Sequence, residues 1–129
     1  MTSRLVRHWV VTLAIVFLWV QPVLAAPRNE PPEAGMKKLI EAMKAKSYHA
    51  FMADADATMH AKFTRDIFDG IAGMVSPRLQ QGYKTSYLGK LRQHDFETFL
   101  WKVEFADRGD DALVKMFIKE RKVSGFWIQ

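Results

Sequence analysis

Apolar residues recur at two different spacings along this chain, and the change falls at Gly82–Tyr83. Upstream, Met36, Leu39, Ile40 and Met43 repeat at the helical period, with Lys37, Lys38, Lys44 and Lys46 mostly on other faces. This predicts a helix beginning near Glu33. Ser47 reads as the N-cap of a short second helix carrying Tyr48, Phe51 and Met52. Asp54, Asp56 and Thr58 read as a break. Thr64 caps a third helix, with Asp66 in its first turn, that presents Ile67, Phe68, Ile71, Met74 and Val75. Ser76-Pro77 is expected to interrupt or re-cap it, and Gly82 to end it.

From Tyr83 the period falls to two, which predicts four strands: Tyr83–Arg92, Phe96–Asp107, Ala112–Arg121 and Val123–Gln129. Gln93-His94-Asp95, Arg108-Gly109-Asp110-Asp111 and a tight Arg121-Lys122 are the turn signals between them. Connections this short join antiparallel neighbours, so the sheet is a meander. Gly89 inside the first strand predicts a bulge that would bend the sheet around the helices. The expected fold is therefore α+β, with N-terminal helices packed on a curved four-stranded antiparallel meander.

Alternation sorts the strands into two faces. Phe99, Trp101, Val103, Phe105, Val114, Met116, Ile118, Phe126 and Ile128 make one wholly apolar face that the helices should cover. The other is mixed: Thr98, Leu100, Lys102, Glu104, Leu113, Lys115, Phe117, Lys119, Val123, Gly125 and Trp127. Full solvation does not call for Leu100, Phe117 and Trp127, and full burial does not tolerate Lys102, Lys115 and Lys119. Leu100, Lys102, Lys115, Phe117 and Trp127 are thus the candidate interface. Scattered surface aromatics under lysine stems are the alternative.

The first residues carry an address. Arg4 and Arg7 precede an apolar run from Trp9 to Leu24 of sixteen residues that includes Gln21 and Pro22, and Ala25 supplies a small residue for cleavage. These are the parts of a secretory signal peptide, and the run is shorter than the roughly 20 residues of a membrane span. Residues 1–25 are read as the signal, 26–32 as a proline-rich tether and 33–129 as one domain. A retained anchor is the alternative. Removing Arg4 and Arg7 lowers Lys plus Arg from 19 to 17 against 14 acids, leaving a net charge of +3. Nine basic and seven acidic residues between Tyr83 and Gln129 form no dense cationic stripe, which argues against nucleic acid.

At 49% hydrophobic and 26% charged residues, the chain is a globular protein and not a disordered one. The absence of cysteine excludes disulfides, thiolate metal sites and a cysteine nucleophile. That fits a bacterial periplasmic or secreted domain held together by its core alone.

The order of elements resembles the NTF2-like (cystatin-like) superfamily, and most of all its small exported bacterial domains of unknown function. The resemblance spans about Met36 to Gln129. It rests on Lys46-Ser47-Tyr48-His49-Ala50-Phe51, Thr64-Arg65-Asp66-Ile67-Phe68, Gly82-Tyr83-Lys84-Thr85-Ser86-Tyr87-Leu88-Gly89, Leu100-Trp101-Lys102-Val103 and Lys122-Val123-Ser124-Gly125-Phe126-Trp127. It implies a curved sheet wrapping helices, dimerisation through the open sheet face, and a cone-shaped pocket. No acid–base pair of the superfamily's enzymes maps onto this chain.

Other motifs have plain readings. Asp54-Ala55-Asp56 resembles the nucleophile motif of haloacid-dehalogenase-like phosphatases, but that chemistry needs a strand end in a parallel sheet, and the residues before Asp54 have helical spacing. It is read as caps and a turn. His49, His60 and His94 lack metal-site spacing. Tyr83 and Tyr87 share a strand face and are candidate pocket residues, or fill the edge of the core. No cofactor is implied. The expectation is a non-enzymatic exported domain that acts by association, as a homodimer or with another envelope protein. A small-molecule pocket or weak enzyme is the alternative.

Overall fold

The computed structural model describes residues 32–129; residues 1–25, read above as a signal, and nearly all of residues 26–32, read as a tether, lie outside the described residues. Helix α1 (Glu33–Lys44) buries Met36, Leu39, Ile40, Ala42 and Met43. It closes with Lys46 in the left-handed region (φ 54°), so that the N–H groups of Lys46 and Ser47 donate to the carbonyls of Met43 and Ala42. The Ser47 hydroxyl accepts from Ala50 N–H at 3.2 Å and starts α2 (Tyr48–Phe51), as its sequence predicts.

The break expected around Asp56 is a helix. Asp56 caps α3 (Ala57–Lys62) by accepting from Met59 N–H at 2.9 Å. Thr64 caps α4 (Arg65–Gln80) in the same way. Pro77 does not interrupt α4. Beside it Ser76 is fully buried, and its hydroxyl donates to the Lys44 carbonyl at 2.7 Å, pinning α4 to the end of α1.

The strands are β1 (Tyr83–Gln93), β2 (Phe96–Phe105), β3 (Ala112–Lys119) and β4 (Lys122–Ile128), paired antiparallel in chain order. The expectation of a curved sheet is overturned. The sheet is open, neither curved nor closed, and β1 and β4 remain its edges. A bulge does sit at Leu88, between Tyr87 and Gly89, but the next pair, β2–β3, runs in continuous register from Glu97↔Ile118 to Val103↔Ala112. The offset is absorbed within one edge hairpin and is not passed across the sheet. The curved NTF2-like (cystatin-like) architecture is therefore not the form this chain takes.

The helices and one sheet face share a single core in which Trp101, Phe51, Phe68, Met36, Leu79, Val103, Val114 and Met116 are all essentially inaccessible. The Phe51 ring sits 5.0 Å from Phe68 and 5.4 Å from Phe126, joining α2, α4 and β4. One residue of this face differs from the alternation expected. Ser124 is an extra residue between β3 and β4, so Val123 pairs with Ile118 and turns into the core. The β3–β4 turn is Glu120-Arg121, one residue earlier than its sequence signal, and both residues have positive φ (49° and 66°).

Candidate functional site

The sheet does not end cleanly at β4. Asp54–Asp56 run beside its start: Val123 N–H donates to the Asp54 carbonyl at 3.0 Å, and Asp56 N–H donates to the Val123 carbonyl at 2.8 Å. This parallel bridge stops where the chain turns into α3. The Ser124 hydroxyl donates to the Asp56 carboxylate and ties the two segments together. Burial alone would raise the Asp56 carboxyl. The hydrogen bonds from Ser124 and from the Met59 and Thr58 amides, with the charge of Lys119, outweigh it and hold the carboxyl below its ordinary value. Asp54 pairs with Lys38 at 2.8 Å. The two aspartates therefore serve a helix cap and a surface ion pair, not a phosphatase strand end.

Beyond Val123 an apolar cleft of about 650 Å³ opens. Its helical wall is Met59, Lys62, Phe63, Ile67 and Ile71; its strand wall is Ser124 to Ile128 with Phe117, Phe96 and Thr98; and the β1–β2 hairpin brings Gln93 and His94. Register explains why these strand residues come from both faces. Thr98, Phe117 and Gly125 pair across β2, β3 and β4 on the face away from the helices, whereas Phe126 lies in the core with Met116. The cleft thus wraps around the edge of β4. Trp127 (56% exposed) and Ile67 (45% exposed) stand at its rims. Thr98 is buried to 2%, and its hydroxyl has no hydrogen-bond partner within the described residues.

Of the five candidate interface residues, Phe117 and Trp127 line this cleft; Leu100, Lys102 and Lys115 do not. Leu100 and Lys115 pair with each other on the same sheet face, and Lys115 also pairs with Trp127. Lys102 is tied to Glu104 at 3.3 Å. The candidate pocket tyrosines lie elsewhere. Tyr83 donates to Glu41 at 2.5 Å, and burial, then that bond and the Glu41 charge, push its phenol far above the ordinary 10.0. Tyr87 is half-exposed, with its ring 5.8 Å from Trp101.

Met59, Lys62 and Phe63 are not legible in the sequence spacing because α3 is not, whereas Ile67 and Ile71 belong to α4, whose spacing shows it. The signal of α3 was present in Asp56, which stands three residues before an apolar Met59 just as Thr64 stands before Ile67. A second hollow of about 640 Å³ is lined by Lys46, His49, His60 and Arg65 among others, so both histidines face one concavity. Among the described residues no three His, Asp or Glu side chains are grouped to hold a metal ion, and no helix is long and apolar enough to cross a membrane.

Comparison of the chain with protein-family models, with curated proteins and with solved structures finds no match in any of the three.

Proposed function

We propose that this protein is an exported α+β binding domain that works by association with another protein, and that the cleft around β4 is its contact surface. Export rests on Arg4, Arg7 and the apolar run that follows them. Mass spectrometry of the exported chain then finds a first residue near Ala26; an intact Met1 contradicts it.

The observation that carries association is the cleft itself. A mostly apolar concavity with an exposed tryptophan on its rim resembles the core of a protein interface more than a solvated surface. Binding is favoured over catalysis because, among the described residues, Lys62 and His94 are the titratable side chains lining the cleft, they come from different elements, and the Ser124 hydroxyl beside them is held by Asp56 and not by a base such as His94. The hydroxyl of Thr98 favours a second reading, a small amphipathic ligand. The volume lies in the ~300–1,000 Å³ range of ligand pockets, and a buried hydroxyl without a partner suits one polar group on such a ligand.

Photo-crosslinking in the exporting cell tests the association. A photoreactive residue at position 127 gives a covalent protein adduct that is lost when Phe117→Asp is added, and the same residue at position 46 gives none. Equal adducts at both positions, or none at 127, reject the proposal.

A further inference from the structure

The two edges of the sheet are built differently. β1 carries Lys84, Lys90 and Arg92 and is broken by the bulge at Leu88. Those are the devices that stop an edge strand from pairing with a foreign chain. β4 carries no such charge after Lys122: Val123-Ser124-Gly125-Phe126-Trp127-Ile128 has no charged residue and no proline, and its bulge at Ser124 lies beside the Asp54–Asp56 bridge, leaving Gly125 to Ile128 in regular register with β3.

The β4 edge is also unfilled where the cleft lies. Leu113 and Gln129 exchange both main-chain hydrogen bonds, at 2.7 and 3.1 Å. In an antiparallel pair such reciprocal positions alternate. With Val114 opposite Ile128 and Met116 opposite Phe126, the main-chain groups of Ile128 and Phe126 point away from β3, to the open edge. Val123 uses its own outward groups on Asp54 and Asp56; the chain then leaves that row as α3. The row is thus started by the protein's own backbone and abandoned beside two outward N–H and two outward C=O groups.

We propose that the β4 edge takes an extended apolar segment of a partner protein as an added strand, in the row that Asp54–Asp56 begin. This rests on the reading of the cleft as a protein-binding surface and specifies how it recognises its partner. Main-chain bonds to Phe126 and Ile128 hold the segment. Because successive residues of a strand face opposite ways, alternate side chains enter the two halves of the cleft, towards Phe63 and Ile67 on one side and Phe117 and Trp127 on the other. A cleft wrapped around both faces of one edge strand is the shape this mode requires. Charge selects the occupant. Lys62 lines the cleft without an ion-pair partner among the described residues, and no Asp or Glu lines it, so the segment carries an acidic residue among its apolar ones. A second copy of β4 brings no such acidic residue.

The test is selection of random peptides of about ten residues, longer than a typical strand, on the full chain, with Trp127→Asp as the counter-selected control. Enriched peptides are expected to alternate apolar residues and to hold an acidic one. Their binding slows amide exchange of Phe126 and Ile128 at least about tenfold, and N-methylation of the peptide nitrogens that face β4 weakens it at least about tenfold. If enriched peptides need Trp127 but leave both amides unchanged and tolerate N-methylation, the cleft binds proteins and the added strand is wrong. If nothing is enriched over the control, both readings fall. A reversible dimer in sedimentation, with both amides protected and no peptide needed, makes the occupant a second copy and overturns the proposal.

Discussion

Ser124 and Asp56, 68 positions apart in sequence, are joined by a hydrogen bond that fastens the cap of α3 to the bulge of β4. One carboxylate thereby serves two elements, accepting from Met59 N–H on the helix and from the Ser124 hydroxyl on the strand. Asp56→Ala removes both bonds and is expected to cost about 1–2 kcal/mol, the range of a lost N-cap, measured by urea unfolding. The carboxyl is held below its ordinary 3.8 in the folded chain. Its contribution is therefore complete above that value and is lost as pH falls through the lowered folded one. Asp56→Asn, which keeps the cap shape, flattens this part of the acid limb while changing stability at pH 7 less than Asp56→Ala does.

Phe117 lies against the backbone of Gly125: a Cβ added there would come 3.0 Å from Phe117 Cδ2. Gly125 has no positive φ, so the contact alone decides the effect of a side chain. Gly125→Ala must push the half-buried ring aside, at a cost of about 1 kcal/mol, the low end of overpacking. The displaced ring narrows the cleft, so calorimetric titration with a cleft-binding peptide is expected to show weaker affinity in a chain that remains folded.

The β3–β4 turn uses Glu120 and Arg121 where both residues have positive φ. A two-residue turn of this kind favours Asn-Gly, because side chains with a Cβ are strained there. Replacing the pair by Asn-Gly is expected to raise stability by about 1 kcal/mol, read as a higher urea midpoint with an unchanged slope. No change or a loss contradicts the assigned turn.

Trp101 is fully buried, and its Nε1–H has no acceptor among the described residues. Trp101→Ala leaves a cavity in the shared core and costs about 3–5 kcal/mol. Trp101→Phe loses contact area but also removes the unpaired donor, whose burial itself costs about 1–3 kcal/mol. The two effects offset, and the expected loss is about 1 kcal/mol or less by thermal unfolding.

Much of this fold is legible along the chain. Ser47 and Thr64 act as the caps they resemble, four strands appear where the period becomes two, and Phe99, Trp101 and Val103 face the helices. The corrections have local causes. Asp56 looks alike as a turn residue and as a cap, and a helix of six residues is too short to show a period. Ser76-Pro77 reads as an interruption or a re-cap, yet α4 runs through it while Ser76 anchors that turn on Lys44. Glu-Arg carries no turn preference, so the last hairpin is displaced by one residue. Gly89 marks a real bulge, but a bulge in an edge strand does not bend strands beyond its partner. The cleft was half visible. Phe117 and Trp127 stood out as apolar residues on a mixed face, whereas Met59, Phe63 and Ile67 join them only because α3 and α4 return to the β4 edge. That meeting is long-range and leaves no periodic trace.

The central claim is that β4 is a partly vacant edge, and amide hydrogen exchange of the free protein tests it most directly. Trp127 N–H, bonded to β3, should exchange slowly, while the flanking N–H groups of Phe126 and Ile128 exchange at least about tenfold faster. Equal, strong protection of all three amides would show that something already fills the row beside β4, and the account would fail.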